Sequence, residues 1–216
     1  MTALDVRSFT VGPFRENCYV VRCKDSAQAL LVDPGDEAPR LIEAVDALGV
    51  TVEAILITHA HVDHIGAVAP LARHTGAPVW CPARERHLLA DIDAFYGPMG
   101  LGSFESYEAD HVLDGGERLD LAGLEIDVRY TPGHSEGHVT YAIAAAETLF
   151  DGDVLFRGSV GRTDLPGGDW PTLLESIAGL IDAYPPQTLV YPGHGPHTTL
   201  GAERAGNPFL ADLAAR

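Results

Sequence analysis

Basic residues are scarce in this sequence. Lys24 is the only lysine, and 14 lysine and arginine residues stand against 31 aspartate and glutamate residues, which gives a formal net charge of −17. A protein that binds nucleic acid needs clustered cations to neutralise phosphates, so this charge excludes nucleic acid as a partner. With a single lysine, no polybasic segment can be assembled either.

Long apolar runs and paired cysteines are also missing. No apolar stretch approaches the roughly 18 residues of a membrane span, and the first residues lack the basic and apolar regions of a signal peptide. Cys18, Cys23 and Cys81 form no CxxC pair and leave an odd number, which indicates a reducing compartment. We therefore expect a cytoplasmic protein without a membrane partner. The length of 216 residues and a hydrophobic fraction of 46% predict one globular domain over 1–216.

Short apolar runs separated by Gly, Pro and Asp turns indicate alternating strands and helices. The predicted strands span residues 6–10, 18–21, 30–32, 54–57, 78–80, 139–143, 149–150 and 189–191, with a hairpin over 119–129. The predicted helices span 41–48, 66–74, 83–95 and 170–184, and 96–110 is expected to be a surface loop. Similar strand–helix–strand units in both halves predict an α/β protein whose two layers face each other.

One loop concentrates potential metal ligands. His59, His61, Asp63 and His64 fall within six residues, directly after the apolar run 54–57. Imidazole and carboxylate suit Zn, Fe, Mn or Co, and such ligands are common where a loop leaves the carboxyl end of a strand. In an extended loop His59 and His61 point the same way and can reach one ion. Asp63 and His64 then turn toward a second position.

Three further polar residues follow predicted strands in the same way. His134 follows a Pro-Gly turn, Asp153 closes an Asp-Gly-Asp turn, and His194 lies in a Pro-Gly-His-Gly loop. Taken alone, a residue in such a turn is more often structural than a metal ligand. Their equivalent positions just past strand ends add them to the candidate site.

The order of these motifs, THxHxDH, TPGH, GD and PGHG, resembles the metallo-β-lactamase fold superfamily. Gly12-Pro13-Phe14, Asn17-Cys18-Tyr19 and the run over 152–169 are similar to its glyoxalase II branch, and more narrowly to short hydroxyacylglutathione-hydrolase-like members. The resemblance covers roughly residues 11–208. It implies a four-layer αββα sandwich with a dinuclear site along one edge.

The resemblance also implies a ligand set for two divalent ions. The first ion would be held by His59, His61 and His134, the second by Asp63, His64 and His194, and both would be bridged by Asp153. We expect zinc, with iron or manganese as alternatives.

Such a site is suited to hydrolysis. Two divalent ions lower the pKa of a bridging water from about 15.7 toward neutrality, and the resulting hydroxide attacks a carbonyl that one ion polarises. Asp63 would orient that hydroxide or take its proton. A thioester suits the site, because a thiol of pKa about 8.5 leaves without much help from an acid. We therefore predict hydrolysis of S-lactoylglutathione or a related anionic acyl-thiol.

Recognition of the substrate is less defined in the sequence. Full-length glyoxalase II enzymes grip glutathione with a C-terminal helical extension, and this chain ends about twenty residues after His194, so we expect no such extension. Arg162 is the candidate for a bidentate contact with a substrate carboxylate, and an ion pair with Asp164 or Asp169 is the alternative. His138 would touch the substrate or support the ligands. The sequence does not determine the oligomeric state, and a homo-oligomer is one of the alternatives.

Other functions could use the same residues. His59, His134 and Asp153 would form the two-His-one-carboxylate set of non-haem iron oxygenases, and segment 161–164 resembles the persulfide dioxygenases of this superfamily. The loop around His194 favours the hydrolase. A lactonase would use the same hydroxide, whereas β-lactamase activity is disfavoured because we expect no export signal. A metal-free binding protein is disfavoured because all seven ligands are present.

Overall fold

A computed structural model describes residues 3–100 and 102–211 of the chain, and two six-stranded sheets form its centre. The first sheet has, in spatial order, β1 (Leu4–Val11), β2 (Glu16–Cys23), β3 (Gln28–Val32), β4 (Thr51–Leu56), β5 (Val79–Pro82) and β6 (His111–Leu113). The second has β14 (Thr198–Thr199), β13 (Leu189–Pro192), β10 (Thr148–Gly152), β9 (Val139–Ile143), β8 (Leu124–Tyr130) and β7 (Arg118–Leu121). A separate hairpin pairs β11 (Leu155–Phe156) with β12 (Ser159–Val160).

Both sheets mix parallel and antiparallel pairs. In the first sheet the pairs β3–β4, β4–β5 and β5–β6 are parallel, whereas β1–β2 and β2–β3 are antiparallel. In the second sheet β10 and β13 form a parallel pair. The carboxyl ends of parallel strands lie at one edge of a sheet. The loops that follow β4, β10 and β13 are therefore the places where this fold presents functional side chains.

The two sheets pack face to face on a shared apolar core. Val21 and Leu56 of the first sheet belong to one buried cluster with Ile126, Tyr141 and Phe150 of the second. Alternate residues of the same strands point to the outer faces, because side chains of a strand alternate between the two sides of its sheet. On β4, for example, Leu56 faces the second sheet while Ile55 belongs to the outer cluster.

Helices cover both outer faces. Those on the first sheet are α1 (Ala38–Leu48), α2 (Val62–Ile65), α3 (Val68–Thr75), α4 (Arg86–Ala90) and α5 (Ile92–Tyr96), and those on the second are α6 (Trp170–Ala183) and α7 (Leu200–Gly206). Asp169 caps α6 by accepting the N–H of Thr172 at 2.9 Å, as its position before Pro171 favours. The layers run helix, sheet, sheet, helix, and the expected four-layer αββα sandwich is confirmed.

Some predicted elements differ from the structure. The helix predicted over 83–95 is two short helices, α4 and α5, which meet at Asp91, whose backbone angles are not helical (φ −141°, ψ 55°). Strand β6, the hairpin β11–β12, strand β14 and helix α7 were not predicted. The hairpin predicted over 119–129 is present and turns at Ala122 and Gly123, both with positive φ. Within the described ranges, no helix has both the length and the apolar character needed to traverse a bilayer.

Candidate metal centre

The loop after β4 carries four of the predicted site residues. β4 lies between two parallel strands, and its apolar end leads into the buried His59. His61 has an extended backbone (φ −67°, ψ 148°) and immediately precedes α2, which carries Asp63 and His64. The change from extended chain to helix at His61 divides the four residues between two neighbouring groups of possible metal ligands.

Three histidines form the first group. Nε2 of His134, in the loop after β8, lies 3.2 Å from Nε2 of His59 and 2.9 Å from Nδ1 of His61. Nε2 of His59 and Nδ1 of His61 are 3.1 Å apart. Three imidazole nitrogens therefore converge on one point, although His134 is remote in sequence from the other two.

In the first group, hydrogen bonds made by Nδ1 of two histidines fix the protonation of their rings, so that the lone pairs of their Nε2 atoms face one another. Nδ1 of His134 donates to the main-chain carbonyl oxygen of Arg162 at 2.8 Å, so its Nε2 carries no proton in the neutral ring. The hydroxyl of Thr58 donates to Asp33, so Nδ1 of His59 is the donor in its 3.1 Å contact with Thr58. Nε2 of His59 is then also unprotonated. Two such lone pairs at 3.2 Å repel unless a cation lies between them, and this group therefore fits a metal ion.

Asp63, His64 and His194 form the second group, with ligand atoms that all lie within 4.8 Å of one another. Nε2 of His194 lies 3.3 Å from Oδ2 of Asp63. Nδ1 of His64 is 3.0 Å from Oδ2 of Asp33, whereas Nε2 of His64 is buried without a hydrogen-bond partner. Buried polar atoms normally have a hydrogen-bond partner, so a buried, unpartnered nitrogen beside carboxylates indicates a position where a cation would bind.

Asp153 lies between the two groups. Its Oδ2 is 3.5 Å from Nε2 of His134 in the first group and 3.4 Å from Nε2 of His194 in the second. Its Oδ1 is 3.5 Å from Nε2 of His64 and makes no hydrogen bond. The imidazole and carboxylate donors of both groups suit Zn, Fe, Mn or Co ions, and Asp153 can reach either position.

The electrostatics of the two groups differ. Burial, with the charge of His64 next, lowers the pKa of His59 well below its usual range, and burial and the charge of His134 lower the pKa of His61 to about 4. These rings are therefore neutral near pH 7 and offer lone pairs. Burial also opposes charge on His194, but its hydrogen bonds to Asp153 and Asp63 prevail and raise its pKa to about 9. The second group thus attracts positive charge.

Asp153 is held as an anion. Burial opposes its ionisation, yet the charge of His64 and the hydrogen bond to His194 outweigh burial and hold the pKa of Asp153 well below its usual range. An ionised carboxylate within reach of both groups can bridge two cations.

The two predicted substrate residues make contacts within the protein. Arg162 is exposed, and its guanidinium makes two 2.7 Å hydrogen bonds to Asp164, which is the alternative role considered for it. Its main-chain carbonyl supports His134. His138 is fully buried and its Nε2 accepts the N–H of Asp153 at 3.1 Å, so its ring supports a ligand and has no surface to offer a substrate.

Several supporting residues were not assigned a role from the sequence. Asp33 immediately follows β3 and accepts from His64, and its position at a strand exit is the signal that could have identified it. Asn17 donates to the carbonyl oxygens of Pro192 and Gly195, on both sides of His194, at 3.1 and 2.8 Å. Glu85 lies inside a predicted helix, where no signal marks it.

The comparisons with known proteins agree with this geometry. The model of the metallo-beta-lactamase superfamily matches residues 11–201. The chain is 40% identical over 205 residues to the probable metallo-hydrolase YqgX of Bacillus subtilis, covering 94% of this chain and 96% of that protein. It is 34% identical over 209 residues to the hydroxyacylglutathione hydrolase GloC of Haemophilus influenzae, covering 96% and 98% of the two chains.

Solved structures show the same relationship. The crystal structure of the BLEG-1 B3 metallo-beta-lactamase matches with a TM-score of 0.89 at 40% identity, over 96% of this chain and all (100%) of that one. The structure of TTHA1623 in a di-iron-bound form matches with a TM-score of 0.86 at 42% identity, over 95% and 100% of the two chains. The fold, the convergent His and Asp residues and these matches lead to one conclusion: the chain belongs to the metallo-beta-lactamase superfamily.

Proposed function

We propose that this protein is a metal-dependent hydrolase of a small anionic thioester, with S-lactoylglutathione as the representative substrate. The observation that carries the proposal is the position of Asp153, whose Oδ2 is 3.5 Å from His134 and 3.4 Å from His194 and so joins the two groups. The residues that would hold one ion are His59, His61 and His134, those for the other are Asp63, His64 and His194, and Asp153 would contact both.

Two divalent ions bound there would supply Lewis acidity and make water nucleophilic near neutral pH. Asp63 is suited to accept a hydrogen bond from incoming water, because its carboxylate is 20% exposed and lies beside His194. Burial opposes ionisation of Asp63, but the hydrogen bond to His194 and the charge of His64 outweigh burial and lower the pKa of Asp63. Its carboxylate is therefore ionised at neutral pH and can orient water or take a proton from it.

The leaving group favours a thioester over an amide. A thiol has a pKa of about 8.5 and departs as a thiolate, so no side chain must protonate it. An amine leaving group must be protonated as it departs, and this requires a positioned general acid.

The relatives support a hydrolase and this substrate class. GloC is named a hydroxyacylglutathione hydrolase and aligns with this chain over 98% of its length. Zinc is the metal we propose first, and the di-iron-bound form of TTHA1623 supports iron as the alternative. All three cysteines are free, which supports our prediction that the protein acts in the cytoplasm.

Hydrolysis of a β-lactam is the second candidate. The observation that favours it is the 40% identity to the BLEG-1 B3 metallo-beta-lactamase over the whole of that chain. Water would attack the strained lactam carbonyl and the ring C–N bond would break. The proton that Asp63 takes from the water would pass to the ring nitrogen, which stays attached to the product as an amine.

Parallel assays on the metal-loaded protein separate these functions. Thiol release from S-lactoylglutathione, hydrolysis of nitrocefin and oxygen consumption with glutathione persulfide are measured on zinc-, manganese- and iron-loaded samples. We expect thioester cleavage to have the highest kcat/KM, and the variant H59A/H61A to lose both metal and turnover. Oxygen consumption without thioester cleavage, or turnover of nitrocefin alone, would overturn the proposal.

A further inference from the structure

Glu85 is a buried carboxylate that touches both loops of the first metal group. It immediately precedes α4 and is 1% exposed. Its Oε2 accepts the main-chain N–H of Ala60 at 2.6 Å, and its Oε1 accepts the main-chain N–H of Gly137 at 2.7 Å. Each oxygen therefore anchors a different segment of chain.

The two anchored peptides are placed next to metal ligands. Ala60 lies between His59 and His61, so its N–H belongs to the peptide that follows His59. Gly137 lies in the same loop between β8 and β9 as His134. One carboxylate thus spans the two loops that supply all three imidazoles of the first group.

Two neighbouring residues, Gly137 and Tyr96, complete the arrangement around the carboxylate of Glu85. A Cβ atom at position 137 would lie 2.8 Å from Cγ of Glu85, so glycine is what allows the loop to approach it. On the other side, the hydroxyl of Tyr96 donates to the carbonyl oxygen of Ala60 at 2.8 Å. The main chain is therefore fixed on both sides of Ala60, at the peptide that follows His59 and at the peptide that precedes His61.

The second group is held by different residues. Asp33 accepts from Nδ1 of His64, and Asn17 donates to the carbonyls on either side of His194. The hydrogen bonds of Glu85 go to Ala60 and Gly137, which carry none of these contacts.

We propose that Glu85 is a positioning residue for the first metal position: it sets the spacing of the His59–His61 loop against the His134 loop and so controls the affinity for one ion of the pair. This inference rests on the proposed function, since it assumes the same ligand groups. Replacement by glutamine supplies one acceptor oxygen and one NH2 group, and the NH2 group must face a main-chain N–H. One of the two loops then loses its anchor while the second group keeps all its supports.

The test compares E85Q with two reference variants that each damage one group. His134→Ala removes a ligand of the first group and His194→Ala removes a ligand of the second. Each apo protein is titrated with Co²⁺, and bound metal and the absorption spectrum are recorded. We expect E85Q to bind one ion with unchanged affinity and the other about 10- to 100-fold more weakly. The absorption spectrum of its cobalt form should resemble that of His134→Ala and differ from that of His194→Ala. Excess metal should restore its turnover.

A matched control separates positioning from general stability. Glu203 is also buried (4% exposed) and accepts the N–H of Gly158 at 2.8 Å and the hydroxyl of Thr198 at 2.5 Å. E203Q should lower the unfolding temperature without changing the affinity for either ion. If E85Q does not fold, Glu85→Asp, which keeps the charge on a shorter side chain, is measured in the same way.

The outcomes are distinct. Equal weakening of both ions, a spectrum like that of His194→Ala, or unchanged affinity for both ions would overturn the role of Glu85. A wild-type protein that binds no metal and cleaves no thioester would instead overturn the proposed function.

Discussion

Oδ2 of Asp33 lies 3.0 Å from Nδ1 of His64 and also accepts the hydroxyl of Thr58 at 2.7 Å. Through Thr58 the same carboxylate orients His59, whose Nδ1 is 3.1 Å from that hydroxyl. One residue therefore fixes the ring orientation of a ligand in each metal group. Asp33 adopts φ 47°, a left-handed backbone conformation that is uncommon outside glycine, and its three accepted hydrogen bonds hold it there.

Replacing Asp33 by asparagine should weaken metal binding. The asparagine NH2 group cannot accept a hydrogen bond. In the Oδ2 position it leaves both Nδ1 of His64 and the hydroxyl of Thr58 without an acceptor, and in the Oδ1 position it leaves the main-chain N–H of Thr58 without one. We therefore expect the affinity for metal to fall about 10- to 100-fold. Competition with a chromogenic chelator measures this. Asp46→Asn is the matched control, because Asp46 pairs with His74 at 2.9 Å on the surface. Wild-type affinity in D33N would contradict the role of Asp33.

Gly193 should not tolerate a side chain. A Cβ atom there would lie 2.3 Å from Oδ1 of Asp153 and 2.6 Å from Cε1 of His64. G193A is therefore expected to lose the ion of the second group and most of its turnover, as measured by metal analysis and thioester cleavage. The control is Gly179→Ala in α6, which meets no atom within 4 Å and should raise the free energy of unfolding by about 0.5–1 kcal/mol. Two bound ions in G193A would contradict this prediction, because the loop around Gly193 would then have moved to make room for the Cβ atom.

His138 should affect kcat and stability, and leave KM nearly unchanged. In H138A the buried N–H of Asp153 loses its acceptor, which costs about 1–3 kcal/mol in the free energy of unfolding. Because His138 is fully buried, we expect KM to stay within about twofold while kcat falls. H138Q, whose amide oxygen can take the place of Nε2, should recover part of both losses. A large rise in KM alone would assign His138 to the substrate.

Arg162→Ala should be nearly neutral for catalysis. The guanidinium is already paired with Asp164 on the surface, and such exposed pairs contribute about 0–1 kcal/mol to stability. The carbonyl that supports His134 belongs to the main chain and remains. We expect KM to stay within about twofold, with Asp164→Ala as the companion variant. A rise in KM of about tenfold or more would show that Arg162 binds the substrate carboxylate.

Local patterns predict the ligand-bearing loops well, because each loop follows a strand whose apolar pattern is visible in the sequence, contiguous at the end of β4 and alternating in β8. The crowding of His59, His61, Asp63 and His64 needs no tertiary information to be noticed. The supporting contacts are different in kind: Glu85 reaches Gly137 across 52 positions, and Asn17 reaches Pro192 across 175. Nothing in the local sequence encodes such pairs.

Tertiary contacts also explain where the predicted elements fail. The apolar spacing of 83–95 favours one helix, but the chain breaks at Asp91 and so brings Tyr96 to the carbonyl of Ala60. Strand β14 has only two residues, which is too short for an alternating apolar pattern to appear in the sequence. It is recognised as a strand only by its pairing with β13. The sequence leaves open whether Arg162 contacts a substrate carboxylate or pairs with Asp164 or Asp169, because its neighbours do not set the direction of an exposed side chain. The structure shows the pair with Asp164.

In the proposed function, thioester cleavage requires both ligand groups to hold an ion. Titration of the apo protein with zinc, with bound metal and S-lactoylglutathione cleavage followed in the same samples, tests it most directly. We expect turnover to rise to its maximum only as the second ion binds, and chelation to abolish it. Full turnover with one ion per chain, or turnover that persists after chelation, would contradict this requirement.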